Sequence, residues 1–302
     1  MNDLPVIDLR MGDDAATAID EACRSRGFFV VTGHGVSLDL VADLDACARA
    51  FFARPDAEKE PIAMRHGGRA WRGWFPLGGE LTSGRPDQKE GLYFGAELPA
   101  DDHRPMHGPN LFPAEPAELR GLVLRYLDEL TALGHRLVDL LDRGFGADGR
   151  LSSLVADPLV LFRIFGYPAG TEGWGVGEHT DYGLLTILHQ DESGGLQVRD
   201  GDTWTDVPPL PGSFICNIGD MLEKATGGVY RSTPHRVQNT SSRYRVSMPF
   251  FFDPGWDARV ERLIEDTPTG VARWDGADPH LFDGTYGDYV WQKVGSVFPD
   301  LR

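Results

Sequence analysis

Apolar positions in the first part of the chain follow helical and strand periods in turn. Residues 6–9 and 28–32 are short apolar runs that predict strands, and the segment between them predicts a helix that ends before Gly27. A second helix is predicted from Ser37, a favourable N-cap residue, to about residue 53. Its apolar stripe consists of Leu40, Leu44, Cys47 and Phe51.

The longest helical pattern starts near residue 117. Apolar residues recur there at near-heptad spacing, at Leu119, Leu122, Tyr126, Leu130, Leu133, Leu137 and Leu140. A coiled coil would use such a stripe, but we favour a scaffold helix that packs under a sheet. The preceding residues, 65–115, are rich in Gly, Pro and Trp and are expected to form ordered loops.

After Pro158 the pattern changes to short apolar runs that are separated by Gly, Pro and Asp. This pattern is typical of a β-sandwich or barrel, so we expect an α+β fold that is mainly β. The expected organisation is one compact unit with two regions. Residues 1–115 would form an N-terminal cover of helices and strands, and residues 116–302 would form the β-domain.

Composition and charge narrow the function classes. The chain has 302 residues, of which 41% are hydrophobic, and a formal net charge of -17. Binding to phosphates requires clustered Lys and Arg, so we expect no nucleic-acid partner. Neither a signal peptide nor a membrane-length apolar run is visible, which predicts a cytoplasmic protein without a membrane partner. The three widely spaced cysteines are expected to be reduced thiols: Cys23, Cys47 and Cys216.

The most informative motif is His179-Thr180-Asp181, with His235 much later in the chain. Residues two apart on an extended segment leave the same face of a strand, so His179 and Asp181 can bind one metal ion together. His235, from a distant strand, would complete the set. Two imidazoles and one carboxylate form the facial triad of non-haem Fe(II) enzymes, which leaves positions open for O2 and substrate.

The surroundings of this motif favour a metal. The apolar run 183–188 predicts a buried strand, and Asp181 lies just before its start. A buried carboxylate needs a cationic partner. Zinc is the alternative metal, because two His and one carboxylate also form catalytic zinc sites. The zinc helix signature HExxH is absent from the sequence, and iron is therefore favoured.

A second pair of residues predicts an anion site. Arg245 and Ser247 have the same strand parity, so a guanidinium and a hydroxyl can point inward together. An arginine fork binds a carboxylate through two hydrogen bonds and stays charged at physiological pH. We therefore expect a carboxylate ligand beside the metal.

With these residues in place, the chain resembles the iron(II)- and 2-oxoglutarate-dependent oxygenases of the isopenicillin N synthase-like group over nearly its whole length. The combination of HxD, a distal His and RxS in this order is highly specific. The motifs that carry the resemblance are GFFVVTGHGV, GRPDQKEGLYFG, RIFGYP, HTDYGLLTIL, GGLQV, NIGDML, STPHRV, RVSMPFFF and the closing TYGDYVWQKV. The resemblance implies a double-stranded β-helix, or jelly-roll, core flanked by helices.

The resemblance also implies roles for single residues. The iron ligands would be His179, Asp181 and His235, and 2-oxoglutarate would bind Arg245 and Ser247 with the Tyr167 hydroxyl nearby. The substrate side would be lined by Arg163, Tyr93, Trp74 and Phe251. The closing motif TYGDYVWQKV is expected to form a lid helix over the mouth of the site.

The expected activity is oxidation of a small organic substrate, by default hydroxylation, with Fe(II), 2-oxoglutarate and O2 and with release of succinate and CO2. We expect a monomer. Two alternatives stay open. One is an Fe(II) oxidase or cyclase of the same group that does not use 2-oxoglutarate, and the other is a β-barrel that binds a small molecule without turnover. The sequence does not identify the substrate.

Overall fold

The computed structural model describes residues 4–82, 84–264, 276 and 278–297. The helices of this part of the chain are α1 Asp13–Ser25, α2 Leu38–Phe52, α3 Asp56–Lys59, α4 Leu119–Phe145, α5 Arg150–Leu154, α6 Asp220–Ala225 and α7 Tyr286–Val297. The strands are β1 Val6–Asp8, β2 Phe28–Thr32, β3 Gly73–Phe75, β4 Leu81–Thr82, β5 Arg85–Pro86, β6 Glu90–Gly95, β7 Leu159–Tyr167, β8 Val176–His179, β9 Leu185–Gln190, β10 Leu196–Asp200, β11 Thr203–Asp206, β12 Phe214–Ile218, β13 His235–Val237 and β14 Arg245–Asp253.

Two sheets form the core. The main sheet has eight strands in the order β1-β2-β12-β9-β14-β7-β6-β3, and the minor sheet has four strands in the order β11-β10-β13-β8. All pairings in both sheets are antiparallel except that of β1 with β2. The mainly β architecture with flanking helices agrees with the jelly-roll expectation.

The N-terminal region contributes strands to the main sheet. β1 and β2 extend it beyond β12, and β6 and β3 extend it beyond β7. Residues 65–115 were expected to form only loops, and this expectation is wrong because β3 and β6 are buried strands of the main sheet. The division at residue 115 stays a prediction.

The long helix α4 packs on the outer face of the main sheet, as its apolar stripe predicts. Most residues of the stripe are buried, and α4 contacts α1, α2 and strands β9 and β14. The helix approaches the sheet closely at Gly134, where a Cβ atom would lie 2.6 Å from the ring of Phe252. A residue with a side chain at this position would have to displace β14 or the helix.

Other local expectations also hold. Ser37 caps α2 and accepts a hydrogen bond from the backbone N–H of Leu40. All three cysteines are free thiols, and Cys23 and Cys216 are buried. No helix within the described ranges combines the length and the apolar character that a membrane crossing requires.

Two glycines of α4 provide a test of this packing. Gly121 is exposed and has no atom within 4 Å of its would-be Cβ, whereas Gly134 faces Phe252. We expect Gly121→Ala to raise the free energy of unfolding by about 0.5–1 kcal/mol through helix propensity. Gly134→Ala should lower it, because the added methyl group overlaps the ring. Urea denaturation measures both, and equal stabilisation by the two substitutions would contradict this packing.

Candidate metal and cosubstrate site

A cavity of about 450 Å³ lies between the two sheets. Its main-sheet wall comes from β7, β9 and β14, and its minor-sheet wall comes from β8 and β13. β4 and helix α7 close further sides, and α7 contributes Tyr286, Val290, Lys293 and Val294. The expected lid helix is therefore part of the cavity wall.

The three predicted metal ligands meet in this cavity. His179 ends β8 and pairs in register with His235, the first residue of β13, so their rings lie with centroids 4.2 Å apart. Asp181 Oδ1 lies 3.8 Å from His179 Nε2 and 3.7 Å from His235 Nε2. The three ligand atoms lie within 4.8 Å of one another, so one ion can contact all of them.

Asp181 reaches the site in a different way from the one that the HxD spacing suggests. β8 ends at His179, and Asp181 lies in the turn before β9 rather than on the same strand. The turn is held by backbone hydrogen bonds, in which Asp220 N donates to Asp181 O and Met221 N donates to Gly183 O. The ligand pair therefore comes from the end of a strand and the turn that follows it.

Hydrogen bonds orient the three candidate ligands towards the point where one metal ion could contact all of them. Asp181 Oδ2 accepts from Thr186 Oγ1 at 2.5 Å and from Asn217 Nδ2 at 2.7 Å, which leaves Oδ1 for a metal. Nδ1 of His179 lies 2.8 Å from Gly177 O, and Nδ1 of His235 lies 3.2 Å from Thr233 O. A ring that donates from Nδ1 carries its lone pair on Nε2, the atom that faces Asp181.

The charge states also suit a divalent cation. Burial opposes ionisation of Asp181, but His235, His179 and the hydrogen bonds from Asn217 and Thr186 lower its pKa overall. Burial, together with His179, lowers the pKa of His235 to about 4, so this imidazole is neutral at physiological pH. An ionised carboxylate and neutral imidazole are the forms that bind a metal ion.

The predicted anion site lies in the same cavity. Arg245 is fully buried; its Nε donates to Gly194 O at 2.5 Å, and its Nη2 lies 3.5 Å from Gln190 Oε1. Its Nη1 is buried and has no hydrogen-bond partner in the described part of the chain. A buried donor without an acceptor is costly, so this nitrogen fits a ligand that brings an anionic oxygen.

Tyr167 and Ser247 complete this anion site. Tyr167 pairs with Arg245 across β7 and β14, and the guanidinium lies 4.6 Å from the centre of the tyrosine ring. The Tyr167 hydroxyl lies 3.3 Å from Ser247 Oγ. A guanidinium and two hydroxyls thus face the cavity and match the donor set that a carboxylate of 2-oxoglutarate needs.

Three of the four expected substrate residues line the cavity: Arg163, Tyr93 and Phe251. Arg163 is buried, its guanidinium lies 3.5 Å from the centre of the Tyr93 ring, and its Nη1 donates to Phe94 O and Phe162 O. Burial lowers the pKa of Arg163, although guanidinium groups remain charged in proteins.

The structure does not bring Trp74 to the cavity, so the expectation for this residue is wrong. Trp74 pairs with Leu92, whereas Tyr93 pairs with Gly73, and the two aromatic side chains therefore leave opposite faces of the sheet. The Trp74 indole donates to Glu90 and lies under the Lys59 ammonium group.

Several residues in and around the cavity were missed in the sequence analysis. Lys89 is buried and pairs with Asp87 and with Glu80, and the Tyr93 hydroxyl donates to Glu80. Asp253, at the end of β14, accepts hydrogen bonds from Tyr286 Oη at 2.6 Å and from Leu184 N at 3.0 Å. The strand parity of Arg245, Ser247 and Phe251 extends to Asp253 and could have identified it.

Family comparisons match the two halves of the chain separately. Residues 4–115 match the model described as the N-terminal region of a non-haem dioxygenase in morphine synthesis. Residues 157–254 match the model of the 2OG-Fe(II) oxygenase superfamily. The second match contains all the candidate metal and cosubstrate residues.

Curated relatives match almost from end to end. A protein of Dictyostelium discoideum described as a probable iron/ascorbate oxidoreductase is 43% identical, and the match covers 99% of this chain and 96% of that protein. A homoarginine-6-hydroxylase of Arabidopsis thaliana is 38% identical, with 98% and 97% coverage. The crystal structure of JOX2 with 2OG, Fe and JA is 28% identical with a TM-score of 0.78, and covers 96% of this chain and 85% of that chain.

Asn217 provides a test of the metal site that leaves every ligand in place. We expect Asn217→Ala to weaken Mn(II) or Co(II) binding by about 10- to 100-fold, because Asp181 loses a donor that orients it. Isothermal titration measures the affinity. Asn110→Ala is the matched control, since this buried asparagine bonds to Gly95 and Glu97 outside the cavity. Parental affinity in Asn217→Ala would mean that Asp181 does not bind the metal in this arrangement.

Proposed function

Because this chain belongs to the 2OG-Fe(II) oxygenase superfamily, we propose that it hydroxylates a small organic substrate and releases succinate and CO2 from 2-oxoglutarate. The family works with Fe(II), 2-oxoglutarate and O2. The observation that carries the proposal is the buried Arg245, whose unpartnered Nη1 lies in the same cavity as the His-Asp-His set. A metal site for hydrolysis alone would have no use for this anion site.

The chain's own residues have distinct tasks in this proposal. His179, Asp181 and His235 would hold Fe(II) on one side, which leaves the remaining coordination positions open. Bound Fe(II) supplies the redox chemistry with O2, in which one oxygen atom enters the substrate and the other enters succinate. Arg245, Ser247 and Tyr167 would bind the carboxylate of 2-oxoglutarate that lies farther from the metal.

The cavity walls would keep water away from the reacting atoms. The apolar side chains of the cavity wall include Phe165, Leu188 and Phe251, and α7 adds Val290 and Val294. An apolar wall favours reaction at a bound C–H group over side reactions with solvent. Thr186 and Asn217 would hold Asp181 in one orientation while substrate binds.

Arg163 supports a substrate that carries a carboxylate. It lines the cavity, is buried, and forms no ion pair with a carboxylate in the described ranges. Its hydrogen bonds go to two backbone carbonyls, and its guanidinium lies on the face of Tyr93. The charges of Glu80 and Asp253 favour its charged form from a distance. A carboxylate of the substrate would form a direct ion pair with Arg163 and hold one end of the molecule.

Asp253 supports a cationic group on the substrate. Burial raises the pKa of Asp253 to about 7, although its hydrogen bonds and the charge of Arg163 act in the opposite direction, so the ionised form gains from a further cation beside it. The side chain lines the cavity and accepts only from Tyr286 and from a backbone N–H among the described contacts. Together with the homoarginine hydroxylase among its relatives, this arrangement favours an amino acid with a basic side chain.

We further propose a cytoplasmic monomer without nucleic-acid or membrane partners. The formal net charge of -17 supports this proposal, because an acidic surface repels phosphate groups.

The main experiment separates the cosubstrate from the substrate. Addition of 2-oxoglutarate to the anaerobic Fe(II) protein should produce a visible charge-transfer band, and His235→Ala should lose both the band and metal binding. A panel of amino acids that includes L-arginine and L-homoarginine is then screened for succinate release. Turnover without 2-oxoglutarate, and no band with it, would replace the proposal by the Fe(II) oxidase alternative. A band with no succinate from any substrate class would favour a binding protein.

Arg163→Met tests the carboxylate anchor. We expect kcat/KM for the active amino acid to fall by about 10- to 100-fold, the value of a charged hydrogen bond. The 2-oxoglutarate band should keep its parental titration, because Arg245 is unchanged. The methyl ester of the same amino acid should be a poor substrate of the parent and should lose little further activity in the variant. Arg125→Met, on the exposed face of α4, is the control.

A further inference from the structure

An arginine of the N-terminal region is linked to both chain neighbours of the anion-binding Arg245, to Tyr244 directly and to Val246 through Asp191. Arg49, near the end of α2, donates from Nη1 to Tyr244 O at 2.6 Å. Its Nη2 pairs with Asp191 Oδ2 at 2.6 Å. The same Asp191 oxygen accepts from Val246 N at 2.7 Å. The backbone groups immediately before and after Arg245 are thus held by one ion pair.

The same carboxylate also holds the turn that fixes the Arg245 guanidinium. Asp191 Oδ1 accepts from Ser193 N at 2.9 Å, and Gly194 N donates to Asp191 O at 3.4 Å. This turn presents Gly194 O to Arg245 Nε at 2.5 Å. The other polar contact of the guanidinium comes from Gln190, one residue before Asp191. Every hydrogen bond of Arg245's side chain within the described ranges therefore depends on residues 190–194.

A forked side chain is needed for this arrangement. Arg49 binds Tyr244 O and Asp191 through two different nitrogens, and its Nε pairs with Asp45 one helical turn earlier. The side chain of Asp191 is only 12% exposed, so loss of its partner would leave a carboxylate in a poorly solvated place. A lysine supplies one charged atom and cannot occupy both acceptor positions as a fork does.

We propose that Arg49 is a positioning residue for 2-oxoglutarate. Its ion pair with Asp191 fixes the backbone around Arg245 and the 190–194 turn, so that Arg245 Nη1 faces the cosubstrate. This inference rests on the proposed function. It assigns control of cosubstrate affinity in the β-domain to a helix outside that domain.

The test compares 2-oxoglutarate affinity with metal affinity and stability. Arg49→Gln should raise the Kd of 2-oxoglutarate, measured from the charge-transfer band of the anaerobic Fe(II) protein, by about tenfold. Mn(II) affinity should stay within about twofold of the parent, since the effect is confined to one side of the cavity. The rate of succinate release at saturating 2-oxoglutarate should change much less than the KM for 2-oxoglutarate.

Two further variants make the comparison specific. Arg49→Lys keeps the charge but not the fork, and it should give a smaller rise in the same Kd. If Arg49→Gln does not fold, Arg49→Lys takes its place in the comparison with the parent. Arg125→Gln removes an exposed i,i+4 ion pair with Glu129 on α4 and is the matched control with parental Kd. A lower thermal midpoint with unchanged Kd in both Arg49 variants would overturn the inference and leave Arg49 as a structural contact.

Measurements on the parent protein distinguish failure of the proposed function from failure of the inference about Arg49. Absence of the 2-oxoglutarate band in the parent overturns the proposed function, and the inference with it. A normal band in the parent, with parental Kd in the Arg49 variants, overturns the inference alone.

Discussion

Asp181 is a buried carboxylate whose position depends on both sheets. Thr186 of β9 and Asn217 of β12, in the main sheet, bind one of its oxygens. The other oxygen faces His179 and His235, which come from the minor sheet. A carboxylate in this place is tolerated because hydrogen bonds and the metal offset the cost of burial. Asp181 therefore connects the two sheets at the point where a metal ion would bind.

The charge inside the cavity contrasts with the charge of the whole chain. The protein has a formal net charge of -17, yet two buried guanidinium groups, Arg245 and Arg163, line the cavity. Lys89, a third buried cation, is balanced by Asp87 and Glu80. Asp181 and Asp253 line the same cavity, so both positive and negative groups face it, and a small molecule that carries both kinds of charge can match them.

The candidate metal and anion residues could be chosen from the sequence because each carries its own chemistry. The HxD, distal His and RxS motifs in this order admit few interpretations, and the structure places these side chains in one cavity. Trp74 was wrongly predicted to line the cavity, because its orientation depends on the register of β3 with β6, which one sequence does not reveal. The role proposed for Arg49 depends on contacts between residues far apart in the chain, and no motif marks it. The short strands β3 and β6 were missed because Gly and Pro around them hide the alternation.

The continuity of the main sheet limits how the chain can be divided. The four strands of the main sheet that follow residue 116, in the order β12-β9-β14-β7, are flanked on each side by N-terminal strands. Without those neighbours, β12 and β7 would expose rows of unpaired peptide groups, which are templates for aggregation. The segments 4–115 and 157–254 are therefore poor candidates for exchange as separate modules between relatives. Each segment needs strands of the other to pair the edges of the main sheet.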